Sequence, residues 1–338
     1  MKTLLNLFIC MLVANTALAQ TPPKISPFLS GGYTPGIIGV RDYANPGTDG
    51  LFVMDYNIYM KSNSFHDRNG DRVNALEYDG VTYPIDVDIS GYVNSMMFVY
   101  ASPKIDFLGN AQYMFIASPN YTTTSTGVAL GELTNNQTVD GGASGFGDLT
   151  IAPIMLSWGL KNFDIAALYM FYAPTGRYEV GGSDNVGLGY WTQLLQAAVY
   201  YYPLPQKATA LMIMPSYGWH STVKDTNVRP GSRFILEYGI SQYVTDRLEI
   251  TIQGGNAWQV GEDTGSDVYW DPSVKDKMSV VGGGIGYQVI PNVFYGNLKY
   301  STTYNNEEHF QTNAFELELI WTTNFLKSKK KTIAKTTN

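Results

Sequence analysis

Cysteine is almost absent. The only one in 338 residues, Cys10, lies within an N-terminal apolar run. With no second cysteine there is no disulfide framework, and stability has to come from packing and hydrogen bonding. Histidine is nearly as scarce: His66, His220 and His309 stand far apart, in no paired metal spacing, and no nucleophile-elbow pattern accompanies them. Neither a metal nor a cofactor is expected, and enzymatic activity is not expected either. Beyond the N-terminus there is no run of about 18 apolar residues to form a membrane-spanning helix. Charged residues make up only 15% of the chain, with 22 basic against 29 acidic. Nucleic-acid binding is therefore not expected, because phosphate neutralisation needs a basic surface.

The ends read as processing and tail segments. Lys2, the apolar run Leu4 to Ala14 and the small residues Ala17-Leu18-Ala19 predict a leader over 1–19, cleaved near Ala19. Ile9 is too large for a lipoprotein signal, so Cys10 leaves with the leader. Lys2 is the one charged residue within it, so its loss takes the formal net charge from -7 to -8. Five lysines (Lys327, Lys329, Lys330, Lys331, Lys335) crowd the last dozen residues and predict a disordered tail over 326–338. Residues 20–50 hold many turn formers, among them Pro22, Pro23, Gly31, Gly32, Pro35 and Gly36, and little strand pattern. They predict an irregular arm that can fold into a lumen as a plug.

What the chain does have is tyrosine (25), phenylalanine (15) and glycine (34), a composition suited to pleated, bending sheets. From Gly145 to Tyr178 it reads as two strands of about a dozen residues around a tight turn, Gly159-Leu160-Lys161-Asn162. Phe163, Ile165, Ala167, Tyr169 and Phe171 alternate with Asp164, Ala166, Leu168, Met170 and Tyr172. Similar pairs follow: Ile89 to Ala101 with Ile105 to Ala117 about Ser102-Pro103-Lys104, and Tyr190 to Tyr202 with Ala208 to His220. Ser232–Val244 pairs with Arg247–Val260, and Met278 to Val289 with Val293 to Thr303. A first strand over Leu51 to Lys61 and a last over Thr312 to Phe325 bring the count to about twelve.

Short and long connections alternate, with long polar loops at 62–88 and 118–145. An even number of strands, short periplasmic turns and longer outer loops are the habit of outer-membrane barrels. The predicted fold is all-β: an antiparallel transmembrane β-barrel over 51–325 with the N-terminus inside. A soluble sandwich would show the same alternation. Trp158, Trp191, Trp219, Trp258 and Trp321 near strand ends favour the membrane, where they can form interfacial girdles.

A carboxylate facing hydrocarbon is unfavourable by a few kcal/mol, so charged rows should face the lumen. This gives nine lumen-lining candidates: Asp55, Asp148, Asp164, Arg233, Glu237, Glu249, Lys299, Glu316 and Glu318. They read equally as a cation-friendly pore lining or as a paired network that closes the lumen. The segment His66-Asp67-Arg68-Asn69-Gly70-Asp71 spaces oxygens as a calcium loop does, but it lacks the later bidentate Glu and reads as a turn. Trp219-His220-Ser221 is the nearest approach to a lipid-hydrolase site, although adjacent strand residues point to opposite faces.

Several of these segments carry a family resemblance. Gly145-Phe146-Gly147-Asp148-Leu149, Ile151-Ala152-Pro153 and Ala173-Pro174-Thr175-Gly176-Arg177-Tyr178 resemble outer-membrane proteins of the family named for the MetA-pathway of phenol degradation. Gly189-Tyr190-Trp191, Arg229-Pro230-Gly231-Ser232, Glu237-Tyr238, Tyr33-Thr34-Pro35-Gly36 and Asp67-Arg68-Asn69-Gly70 match in type. The resemblance implies a Gram-negative outer-membrane barrel, embedded in outer-membrane lipid, for passive uptake of small hydrophobic or aromatic compounds. It supplies no catalytic residues. The lysine-rich tail departs from the usual ending on an aromatic, which leaves Phe325 to serve the barrel-assembly machinery. A structural or adhesive barrel with a closed lumen is the alternative, and a membrane-embedded lipid hydrolase a further one.

Overall fold

Sixteen strands are present among the described residues of the computed structural model, which cover 26–78, 80–135 and 137–322. The leader, Phe325 and the lysine tail lie outside them. In chain order the strands are β1 (Gly50–His66), β2 (Ala75–Tyr78), β3 (Val81–Pro84), β4 (Asp86–Ile105), β5 (Ala111–Ser118), β6 (Asn120–Ala129), β7 (Val139–Phe146) and β8 (Leu149–Gly159). They continue with β9 (Phe163–Ala173), β10 (Thr192–Tyr201), β11 (Thr209–His220), β12 (Arg233–Tyr243), β13 (Leu248–Gln259), β14 (Lys277–Ile290), β15 (Phe294–Glu307) and β16 (His309–Thr322). Twelve of them close an antiparallel barrel. β1 pairs with both β16 and β4, and the ring runs β1-β4-β5-β8-β9 and on through β16. Closure removes the sheet edge, which a bilayer requires because hydrocarbon offers no hydrogen bonds to free backbone groups.

The other four strands lie in segments expected to be loops. β6 continues β5 across Pro119, and β7 leads into β8 across Gly147-Asp148, so the β6–β7 hairpin prolongs two barrel strands beyond the outer rim. Its sequence, rich in Thr, Ser and Gly, has no apolar face, and one of its sides is exposed while the other is half-buried. Its β-branched threonines still favour an extended backbone. β2 and β3 form a separate small hairpin within the first long loop.

Two connections also differ from expectation. Ser102-Pro103 is a bulge inside β4 and not a turn; the chain reverses at 106–110, where Gly109 and Asn110 take positive φ. β15 and β16 meet at the single residue Glu308, on the outer side, where a longer loop was expected.

The outward face is apolar between two aromatic belts. Near the outer rim Tyr169 and Tyr217 stack on Trp219, Phe171 packs on Trp191, and Phe234 stacks on Trp258. Near the periplasmic turns Phe294 stacks on Trp321 and Phe163 packs on Tyr201. Rings with a polar edge suit the water–hydrocarbon boundary.

β1 reverses its expected orientation. Met54, Tyr56 and Ile58 are buried in the interior, and Asp55 and Asn57 face outward. The physical reason is the arm, which brings Ile38, Val40 and Tyr43 inside and so makes that part of the lumen apolar. Asp55 is therefore no lumen group. Its two carboxylate oxygens accept the side-chain amides of Asn94 (2.6 Å) and Asn57 (3.0 Å), which is how an outward carboxylate is tolerated there.

Glu308 carries a pH consequence. Burial and the neighbouring Asp67 push its carboxyl up to about 7, with Arg68 opposing. A carboxyl whose pKa rises on folding stabilises the fold in its protonated form. That stability is full below about 4.5 and is lost as pH rises through about 7. Amide exchange at the β15–β16 turn should thus quicken from pH 5 to 8 beyond its intrinsic increase. Glu308→Gln should flatten that excess; an equal excess in both proteins would refute it.

Candidate functional site: the barrel interior and outer rim

The lumen has two unlike halves. Along β1, β4, β5 and β8 to β11 the middle of the inward face is mostly apolar: Met54, Met97, Met114, Met155, Met170, Met212 and Met214 are all buried, with Ile116, Leu168 and Leu194 between them, while Asp164, Gln196 and His220 are among the polar exceptions. Along β12 to β16 most are charged or polar, including Arg233, Glu237, Glu249, Lys299, Glu316 and Glu318, with Ile235, Met278 and Val280 as apolar exceptions. Strand alternation creates both halves. What fills the space between them is the arm.

The arm enters at the outer mouth and leaves at the periplasmic end. At the top, Ser26 donates to Asp263 (2.5 Å), and the Phe28 carbonyl accepts from Arg233, which also forms a two-point ion pair with Asp276. In the middle, Glu237 accepts from the Tyr33 hydroxyl (2.5 Å) and the Gly36 amide (2.7 Å). Gln253 donates to the carbonyls of Gly36 and Ile38, and Lys299 to that of Ile37. Lower down, Tyr56 donates to Asp42, and Arg41 binds Ser241, Glu249 and the carbonyls of Lys207 and Ala208. The Arg41 guanidinium also lies 5.0 Å from the Tyr243 ring centre. At the foot, the Asn45 amide donates to Asp164, whose other partners are Tyr202 and Lys207 (2.5 Å).

Five of the nine candidates bond the arm directly: Asp164, Arg233, Glu237, Glu249 and Lys299. Glu316 is paired with Lys299 at 3.0 Å, and Glu318 accepts from Asn297. The charges are thus engaged with one another and with the arm. The sequence missed Asp42, Arg41 and Asn45 as interior groups because the arm has no periodicity to orient its side chains. Beneath the arm, at the periplasmic end, a cavity of about 420 Å³ remains, lined by Phe52, Met54 and Met114 on one side and Arg41, Glu249 and Tyr295 on the other.

Asp148 has a different task. It points inward at the rim, and its carboxylate accepts the amides of Gly176 (3.0 Å) and Leu188 (2.9 Å). Burial raises its pKa, and these two amides offset part of the rise. Asn120 donates to the Asp148 carbonyl. A Cβ on Gly176 would meet Gly187 Cα at 2.7 Å, and one on Gly187 would meet Asp148 Oδ1 at 2.7 Å, so the two glycines let the arms of the 174–188 loop close on each other and on the wall. Residues from two separated motifs, Gly147-Asp148 and Pro174-Thr175-Gly176, converge here. Asp148→Ala should cost about 1.5–3 kcal/mol for each lost bond to the charged group. The expected readout is faster proteolysis within 174–188 on a barrel that still closes; unchanged cleavage would rule out the tie.

The histidines show no catalytic arrangement. His220 points inward and bonds Thr192 (3.0 Å), while Ser221 accepts the Trp191 amide on the other side of the chain. Asp67 caps its own turn by accepting the amides of Asn69 and Asp71.

A closed twelve-strand barrel with aromatic belts and an internally threaded arm defines an outer-membrane β-barrel protein. The chain belongs to the family named for the MetA-pathway of phenol degradation, which matches residues 62–319. Among solved structures it is similar to the COG4313 outer membrane channel from Pseudomonas putida F1. The TM-score is 0.60 at 16% identity, covering 84% of this chain and 99% of that one. Weaker likenesses are the translocator domain of the autotransporter NalP from Neisseria meningitidis (TM-score 0.46, 11% identity, 83% and 91% covered) and the CymD monoaromatic hydrocarbon channel (0.43, 9%, 88% and 97%). No curated protein matches.

Proposed function

We propose that this barrel is a passive channel for small hydrophobic or aromatic solutes, gated by its own N-terminal arm. The observation that carries this reading is the methionine wall. A lumen serving only polar ions has no use for seven buried methionines on one side, whereas flexible thioethers accommodate varied apolar shapes and contact rings favourably. Family membership and the similarity to the Pseudomonas outer membrane channel support it. The charged half then holds the arm, and the periplasmic cavity serves as an exit vestibule. The leader is removed near Ala19, and the last strand is handed to the barrel-assembly machinery before the wall settles in outer-membrane lipid. His220 and Ser221 point apart, so the lipid-hydrolase reading has no support in their geometry.

The experiment is uptake of benzene- and phenol-sized solutes into liposomes carrying the purified protein, beside glucose as a polar control. Faster entry of the aromatic solutes than empty liposomes allow supports the channel. No entry by any solute, even with the arm deleted, favours the second reading, a closed structural barrel that presents its long β6–β7 hairpin to partners outside the cell.

A further inference from the structure

The outer mouth holds an aromatic box already occupied by the chain itself. Phe28 of the arm lies with its ring centre 5.8 Å from Tyr190, edge to face at 84°, and 5.8 Å from Trp270 at 60°. Both partners are almost fully buried, at 2% and 4% exposure, and Phe28 is half-buried. The walls are built by bonds independent of Phe28. Trp270 donates its indole N–H to Asp263 at 2.8 Å, and Asp263 also receives Gly231 and Gln259. Tyr190 stands edge-on to His220, with ring centres 5.2 Å apart.

Next to this box lies unused hydrogen-bonding capacity. His220 Nε2 and Arg233 Nε are both buried, and among the described residues neither has a hydrogen-bond partner. A buried polar atom without a partner is unfavourable and calls for an explanation. Both atoms face Gly31, three residues after Phe28. A Cβ at Gly31 would come within 2.6 Å of Arg233 Nε and 2.9 Å of His220 Nε2, and its φ of +56° suits glycine. A bare segment of the arm therefore covers two nitrogens that could receive a hydroxyl, while its phenyl ring fills the box beside them.

We propose that this outer-mouth box is a binding site for a monocyclic aromatic bearing a hydroxyl group, and that Phe28 is a built-in competitor for it. The proposal rests on the channel reading for its role. When residues 28–32 withdraw, the solute ring takes the place of Phe28 between Tyr190 and Trp270. Its hydroxyl reaches His220 Nε2 and Arg233 Nε. A solute thereby displaces the top of the arm by occupying the arm's own anchor, which couples recognition to opening. Binding to a site vacated in only a fraction of molecules is weakened by that fraction, so removing the competitor should strengthen it.

The test uses full-length protein in detergent, checked for closure by heat-modifiable gel migration, and equilibrium dialysis against ring-labelled phenol. Phe28→Ala should bind phenol roughly tenfold tighter than wild type, as expected if the box is free about a tenth of the time. Phe28→Trp, which keeps the box filled, should bind no tighter than wild type. In the Phe28→Ala background benzene should bind more weakly than phenol, and His220→Leu, which leaves only Arg233 Nε for the hydroxyl, should shrink that difference. Equal phenol affinity of Phe28→Ala and wild type overturns the proposal, as does a gain that survives Trp270→Leu. The channel reading is judged separately by liposome uptake. Uptake without a gain in Phe28→Ala drops the site and keeps the channel; a gain without uptake drops the channel and keeps the site.

Discussion

Deletion of residues 26–48 raises the single-channel conductance several-fold in a planar bilayer, while the barrel still migrates as a closed, heat-modifiable species. The arm is the only segment among the described residues to traverse the interior, and it bonds the wall from Asp263 at the outer mouth to Asp164 at the periplasmic foot. Its removal frees Glu237, Glu249 and Lys299 from arm partners. They then meet water in an open lumen, where a charged group keeps its solvation and little stability is lost. The ring of twelve strands does not depend on the arm for a single ladder pairing. Conductance equal to that of the intact protein would mean that wall side chains block the pore by themselves, and the gating role would fail.

Lys299→Met should be strongly destabilising. Its ammonium lies 3.0 Å from Glu316 and also donates to the Ile37 carbonyl, and both charged groups are buried. Glu316 and Glu318 point to the same side of β16, two residues apart, so loss of the cation leaves two carboxylates with reduced compensation. Breaking a buried pair by removing one partner costs about 3–5 kcal/mol. The measure is the urea midpoint of tryptophan fluorescence, which should fall sharply. Adding Glu316→Gln should recover much of the loss, because the stranded charge is then gone. A midpoint within error of wild type would show that the interior is wet enough to solvate Glu316 directly.

Alternation along the chain was legible, and the reason is physical. A strand with hydrocarbon on one side and a wet or charged interior on the other must alternate, and β9, β12, β13 and β16 do. Phe163, Ile165, Leu236, Ile250 and Leu317 face outward as expected. β1 broke the rule because both of its environments are mixed: the arm makes the inside apolar, and Asn57 and Asn94 make the outside tolerable for Asp55. β6 and β7 escaped notice because neither of their faces is apolar, so their alternation leaves no pattern in the sequence. Arg41 and Asp42 escaped for a related reason, since an irregular segment has no period from which to read direction.

By itself the sequence determined the class, the count of about twelve barrel strands, the sides on which most turns lie and the outward face of most strands. All of these follow from local alternation and turn chemistry. Only the tertiary structure decided that the arm runs through the lumen and spends the charges there. The same holds for Asp148, which ties down a loop 28 residues further along the chain, and for Phe28, which fills a box built by Tyr190 and Trp270. Each joins distant residues across a closed ring, and no local pattern encodes such a meeting.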